Sequence, residues 1–104
     1  MKTTFAERVY AIIKKIPKGK VATYKDIAHA LNVNAYRAVG QALHNNPYAP
    51  KVPCHRVIAS SGNIGGFAHG SEKKEVLLKK EGVIISNKKI NLQRFGYQLK
   101  RLLL

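Results

Sequence analysis

Chemistry in this chain has one obvious seat, the stretch Pro53-Cys54-His55-Arg56-Val57-Ile58. It holds the only cysteine in the protein, with a histidine directly after it. The thiolate is the reactive form of cysteine, and an adjacent base or a cationic imidazole favours it. A lone cysteine is more often a small buried hydrophobe, and Cys54 taken by itself reads that way. His55 could likewise hydrogen-bond backbone inside a core. The rest of the chain decides what can reach these two side chains.

At 104 residues the chain fits one domain spanning 1–104, near the lower size at which a core sustains itself. One cysteine excludes an internal disulfide framework and a multi-cysteine zinc site, and it suits a reducing compartment. The four histidines leave other metal sites formally open, although no metal is expected. No apolar run approaches the length of a membrane span, and the basic N-terminus leads into an amphipathic stretch rather than a signal segment. A cytoplasmic, nucleoid-associated protein is expected, with no membrane partner and a monomeric state. The formal charge of +14 is costly in self-repulsion unless a polyanion uses it. Nucleic acid is the leading partner, an anionic membrane surface the second, and a generally basic surface the bland alternative.

The elements that must position Cys54 follow in order. Thr4-Phe5-Ala6-Glu7 reads as a capping box. Phe5, Val9, Ile12, Ile13 and Ile16 recur at helical spacing, so a first helix runs to about Lys15 and Pro17-Lys18-Gly19-Lys20 stops it. Val21 and Ala22 form a short extended link. Thr23, with Asp26 at the third helical position, caps a second helix carrying Ile27, Ala28 and Leu31. Asn32-Val33-Asn34 breaks it, and a third helix follows from Ala35 to about His44. This is the helix-turn-helix pattern, which many helix pairs that never touch DNA also show. Ala35, Ala38, Gly40 and Ala42 make the third helix small-faced. Either helices pack closely there, or the backbone approaches a groove with Arg37 protruding.

Asn45-Asn46-Pro47 ends that helix. After Ile58, residues 59–70 form a glycine-rich loop without the spacing of a nucleotide cradle, a segment suited to walling a pocket. Ser71 caps a helix through Glu81, with Val76, Leu77 and Leu78 facing inward and Gly82 as its C-cap. Val83-Ile84-Ile85, Ser86 to Lys89 and Ile90 suggest a hairpin. Leu92 to Leu104 reads as a last helix whose basic residues suit its dipole and could meet phosphate.

These residues resemble the C-terminal, active-site domain of the O6-alkylguanine-DNA alkyltransferase family. Pro53-Cys54-His55-Arg56-Val57 is similar to the family's active-site signature. Arg37-Ala38-Val39-Gly40, Asn46-Pro47, Ser61-Gly62, Gly65 and Leu77-Leu78 with Glu81-Gly82 stand in register around it, from about Phe5 to Gly82. The fold implied is mainly α: a helix-turn-helix, winged-helix-like alkyltransferase C-terminal domain with short strands and a hairpin. The activity implied is direct DNA repair, in which the alkyl group of O6-alkylguanine in double-stranded DNA moves irreversibly to the cysteine, without a cofactor.

The resemblance also implies roles. Cys54 would accept the alkyl group, His55 would act as its base through a bridging water, and Glu81 would orient His55. Tyr24 would donate toward the departing guanine and help rotate the backbone phosphate. Arg37 would fill the gap left by the flipped base. Thr23, Ala35, Ala38, Gly40, Gln41 and Ser60 would meet DNA in the minor groove. Asn46 would hold the turn into the site. Leu43, Arg56, Val57, Ile64, Phe67, Ala68 and His69 would shape or support the base pocket.

A single domain without the family's usual N-terminal domain is expected. Phe67 stands where a tyrosine is common and His69 where a small residue is common, which bears on substrate range. Each role has a plainer counterpart: Tyr24 as a partly buried aromatic, Arg37 as one more solvated base, Asn46 as a cap, Glu81 as a partner for a helix lysine. The resemblance also leaves a lesion-sensing alternative. Alkyltransferase-like proteins are similarly short, bind alkylguanine and recruit excision repair, but usually carry another residue, often tryptophan, at the cysteine position. A basic nucleoid protein without lesion preference is the third possibility.

Overall fold

The computed structural model describes residues 4–34, 36–48, 51–64 and 71–99. Helix α1 spans Phe5–Ile13 and starts where Thr4 Oγ1 accepts the Glu7 amide at 3.1 Å. Its apolar stripe is removed from water: Val9, Ile12 and Ile13, with Ile16 beyond the helix end, are fully buried. Strand β1 (Ala22–Thr23) leads into α2 (Tyr24–Ala30) through a complete capping box. Thr23 Oγ1 accepts from the Asp26 amide and Asp26 Oδ2 accepts from the Thr23 amide, each at 3.0 Å.

A Schellman motif ends α2. Asn32 takes φ 59°, its amide donates to His29 O at 3.0 Å, and the Val33 amide donates to Ala28 O at 2.9 Å. The reversal launches α3 (Tyr36–His44), which completes the helix-turn-helix pair read from the sequence. Tyr10 joins α1 to the end of α3, its hydroxyl donating to Ala42 O at 2.8 Å while its ring stands edge-on to Tyr48.

A single 3-10 turn, Cys54–Arg56, precedes β2 (Val57–Ile58). β2 pairs parallel to β1, with Ala22 opposite Val57 and Thr23 opposite Ile58. The start of α2 is thereby fixed beside the residues that follow Cys54. Helix α4 (Ser71–Lys80) ends in a second Schellman motif: Gly82 sits at φ 92°, its amide reaching Lys79 O and the Val83 amide reaching Leu78 O. The hairpin follows as β3 (Ile85–Ser86) and β4 (Lys89–Ile90). Its two turn residues, Asn87 and Lys88, are both left-handed, as a type I′ turn requires. Helix α5 (Leu92–Phe95) is capped by Asn91.

Several sequence expectations need correcting. The last helix stops at Phe95, because Gly96 is extended and the chain pairs with the edge of β1 instead. The Val21 amide donates to Phe95 O at 2.9 Å and the Tyr97 amide to Val21 O at 2.8 Å, satisfying backbone groups that Val21 would otherwise bury unpaired. Residues 100–104 of that expected helix lie outside the described residues. On α4, Val76 is half exposed and Leu77 only partly covered, while Leu78 and Lys74 face inward. α1 ends at Ile13 rather than Lys15, and Glu81 lies just past α4. Val21 and Ala22 are more than a link, since they form the centre of a small parallel arrangement.

The hairpin also braces the chain after β2. The Ile90 amide donates to Gly62 O at 2.8 Å and the Ile64 amide to Lys88 O at 2.9 Å. Gly62 sits at φ 91°, and a Cβ there would stand 2.9 Å from Ile90 O. Replacing Gly62 by alanine should therefore cost roughly 1–3 kcal/mol. Thermal denaturation should show a fall of roughly 5–15 °C in Tm; an unchanged Tm would mean the brace is not formed in solution.

Candidate active site

Cys54 reaches its place through a tight backbone path. Its amide donates to Val52 O at 2.8 Å, and the Arg56 amide donates to Pro53 O at 2.9 Å, closing the 3-10 turn. Asn46 ties this path to the end of α3: its Nδ2 donates to Val52 O at 2.9 Å, and its Oδ1 accepts the Tyr48 amide at 2.9 Å. Cys54 itself is 5% exposed, packed in the core cluster that α1, α2 and α3 form, which also contains Leu43.

The two residues after Cys54 converge on one carboxylate. Glu81 Oε2 lies 3.0 Å from His55 Nε2 and 2.6 Å from Arg56 Nη2, while Oε1 accepts Arg56 Nε at 2.9 Å. The guanidinium thus grips the carboxylate with two bonds, and its remaining arm, Nη1, donates to Ile16 O at 2.9 Å. Glu81 is held by the Schellman turn at the end of α4, and the bend of Gly19 passes close to it: a Cβ on Gly19 would lie 3.1 Å from Glu81 O. Three separated segments therefore meet here: the end of α1 with its turn, the Cys54 turn, and the end of α4.

The charges of this cluster set its protonation. Burial pushes the Glu81 carboxyl up, but the hydrogen bonds and charges of Arg56 and His55 outweigh it and hold the group below the usual carboxylate range. Burial lowers the His55 imidazole; Glu81 pulls it back up, Arg56 and Lys74 push it down again, and the net shift is downward. His55 is therefore neutral at pH 7. An ionised carboxylate only accepts hydrogen bonds, so the proton of the neutral ring lies on Nε2 and Nδ1 keeps its lone pair. Both groups have depressed values in the folded state. Each favours folding above its ordinary value, 6.5 for histidine and 4.5 for glutamate, and loses that contribution as the pH falls.

Tyr24 and Lys74, like Tyr10, stand in the electrostatic field of Cys54. Tyr24, partly buried at the start of α2, has its phenol raised by burial and then by negative charge on Cys54, so it remains a hydroxyl donor at pH 7. Lys74 was not foreseen as part of the site. It is 1% exposed, donates to Val57 O at 2.7 Å, and is lowered to about 8 by burial, with negative charge on Cys54 opposing that shift. Its spacing of four from Leu78 on the buried side of α4 was the available signal, but a lysine is normally assigned to the solvent face.

On α3, Val39, Ala42 and Leu43 face the core, while Arg37 and Gln41 are exposed and Ala38 and Gly40 intermediate. The two explanations of the small residues divide. Ala42 is small where α1 crosses, but a Cβ on Gly40 would meet nothing within 4 Å among the described residues, so packing does not require glycine there. Thr23 and Ser60 lie together at the mouth of α2, lining one groove with Lys25. Val57 is buried, and Ile64 is buried in a second cluster with Val21, Ile58, Leu78 and Phe95. Ala35, Phe67, Ala68 and His69 lie outside the described residues. No helix among the described residues is long and apolar enough to cross a membrane.

The family model described as "6-O-methylguanine DNA methyltransferase, DNA binding domain" matches residues 4–83. The methylated-DNA–protein-cysteine methyltransferase of Sulfolobus acidocaldarius is 51% identical over 81 residues, covering 78% of this chain and 51% of that protein. Its Candida glabrata counterpart is 41% identical over 93 residues, covering 88% of this chain and 45% of that protein. The chain thus spans about half the length of the curated relatives it matches. Among solved structures, Mycobacterium tuberculosis OGT in complex with DNA superposes with a TM-score of 0.73 at 41% identity, covering 78% of this chain and 51% of that one. S. pombe Atl1, solved with damaged DNA containing O6-carboxymethylguanine, superposes with a TM-score of 0.83 at 33% identity, covering 94% of this chain and 99% of that one. With the signature cysteine, the helix-turn-helix pair and the matched span all in place, this chain belongs to the O6-methylguanine DNA methyltransferase family.

Proposed function

We propose that this chain repairs DNA directly, moving the alkyl group of O6-alkylguanine onto Cys54 in a single turnover. The observation that carries the reading is Cys54 set beside a neutral His55 whose Nε2 is fixed on Glu81. In the proposed step the thiol proton passes to His55 Nδ1 through a bridging water, and Sγ attacks the alkyl carbon. The S–C bond forms as the C–O6 bond breaks. The electron pair left on guanine is stabilised by a hydrogen bond donated by the Tyr24 hydroxyl, and the proton taken up by His55 balances its charge. No cofactor enters the balance.

DNA reaches the site through α3. Its exposed face carries Arg37 and Gln41, with Gly40 open beside them, and it enters the minor groove. Arg37 occupies the space left by the extrahelical base. The net charge of +14 supplies the sequence-independent attraction to the duplex that a search for rare lesions needs.

A second reading has one observation in its favour: the match to S. pombe Atl1 runs over nearly the whole of that protein. On this reading the chain senses the lesion and recruits excision repair without transfer. Cys54 is the residue on which the two part. After incubation with a duplex containing O6-methylguanine, mass spectrometry should find one methyl group on Cys54. The Cys54→Ala variant should bind the same duplex while taking up none. Tight lesion binding by an unmodified wild-type protein would contradict transfer and leave the sensor.

Gly40 gives an independent check on the docking face. Gly40→Ala should raise stability by about 0.5–1 kcal/mol, because the helix gains propensity and the space is open. If the backbone of α3 approaches DNA there, the same variant should bind duplex more weakly, read by fluorescence anisotropy beside thermal denaturation. A more stable variant with unchanged affinity would move the contact elsewhere on the protein.

A further inference from the structure

The segment from Asn91 to Leu99 lies beyond the residues matched by the family model, yet it is built into the fold. Phe95 is buried, backbone bonds join Phe95 and Tyr97 to Val21, and Lys20 Nζ donates to Arg94 O at 3.2 Å. Gly96 is fixed in identity too, since a Cβ there would run into Leu92 O. The segment is therefore a defined wall, and what it faces can be read.

It walls a groove of about 650 Å³, with Gln93, Tyr97 and Gln98 on its side and Thr23, Lys25 and Ser60 opposite. A neighbouring groove of about 350 Å³ holds Tyr24 and Tyr36 and shares Lys25 and Ser60 with the first. The two form one path, from the aromatic pair beside the reaction site and α3 to the C-terminal segment. Gln93, Gln98 and Ser60 are exposed. The path offers amide and hydroxyl donors with one ammonium. Asp26 also lines it, with Oδ2 held by the Thr23 amide, so its charge offsets that of Lys25.

We propose that this groove carries the DNA backbone past the reaction site, with Gln93 and Gln98 donating to phosphodiester oxygens of a strand already held at Tyr24 and α3. The proposal rests on the DNA-repair reading above and extends its footprint to a part of the chain that the family model does not reach. Charge chooses the occupant. Within the lining itself the ammonium of Lys25 is offset by Asp26, so the groove concentrates no charge of its own for a free anion. A phosphodiester delivered by the rest of a bound duplex needs only positioning, which neutral side-chain donors supply. Tyr97 offers a hydroxyl at the far end of the same path.

The test is the variant Gln93→Glu with Gln98→Glu, measured on two duplexes containing O6-methylguanine. One extends on both sides of the lesion; the other is truncated on the side facing the groove. Binding to the long duplex should weaken roughly tenfold, while binding to the truncated duplex should equal that of the wild-type protein. Transfer from free O6-methylguanine base should be unchanged, because a free base brings no phosphodiester to the groove. Equal affinities on the long duplex, or equal losses on both, would overturn the proposal. So would NMR shifts at both glutamines when inorganic phosphate alone is added, which would assign the groove to a free anion. Should the double variant have a lowered Tm, Gln93→Ala with Gln98→Ala makes the same comparison without introducing charge. Absence of transfer from either substrate would count against the repair reading and leave the affinity comparison intact.

Discussion

The carboxylate of Glu81 is the point on which the candidate site depends. It accepts two bonds from Arg56 and one from His55, in surroundings that are largely shielded from water. Burying a charge is unfavourable unless it is paired and hydrogen-bonded, and removing one partner of such a pair commonly costs about 3–5 kcal/mol. The arrangement is therefore close to all-or-none. Arg56 cannot leave without stranding Glu81, and Glu81 cannot leave without freeing His55 to rotate. Arg56 also holds Ile16 O, so the same contact fastens the end of the α1 segment to the end of α4.

From that contact the geometry spreads outward in both directions along the chain. The Schellman turn at Gly82 aims Glu81, and the tight turn at Cys54 aims His55 and Arg56. β2 then pairs with β1 and carries the position of the Cys54 turn to the capping box of α2, where Tyr24 begins. Asn46 fixes the other approach, from α3. A parallel pair of only two residues on each strand contributes little by itself. Its worth lies in setting the register between the Cys54 turn and the helix-turn-helix pair. On the β1 side this small sheet is continued by the C-terminal chain at Val21 and Tyr97.

Local signals in the sequence revealed much of this. Thr4, Thr23 with Asp26, Asn32 and Gly82 each carry a capping or turn preference that acts over a few residues, so α1, α2, the turn before α3 and the end of α4 could be read directly. The hairpin could be read from its apolar flanks. What stayed hidden depends on distant partners. Nothing near Val21 shows that Gly96 will pair with it, so the last helix was expected to run on past Phe95. Nothing near Lys74 shows that Val57 O will receive its ammonium, so Val76 was expected to face inward in its place. The link between His55 and Glu81 came from resemblance and not from spacing, and the double grip of Arg56 on the same carboxylate was visible in neither.

The most direct measurement is a pH titration of His55 followed through its ring nitrogens by 15N NMR in the wild-type protein. Glu81 as acceptor requires the proton of the neutral ring on Nε2 and an unprotonated Nδ1 at pH 7, with imidazolium forming only below the ordinary histidine range. That pattern would establish Nδ1 as the base available to Cys54. A ring protonated on Nδ1, or one already cationic at pH 7, would contradict it.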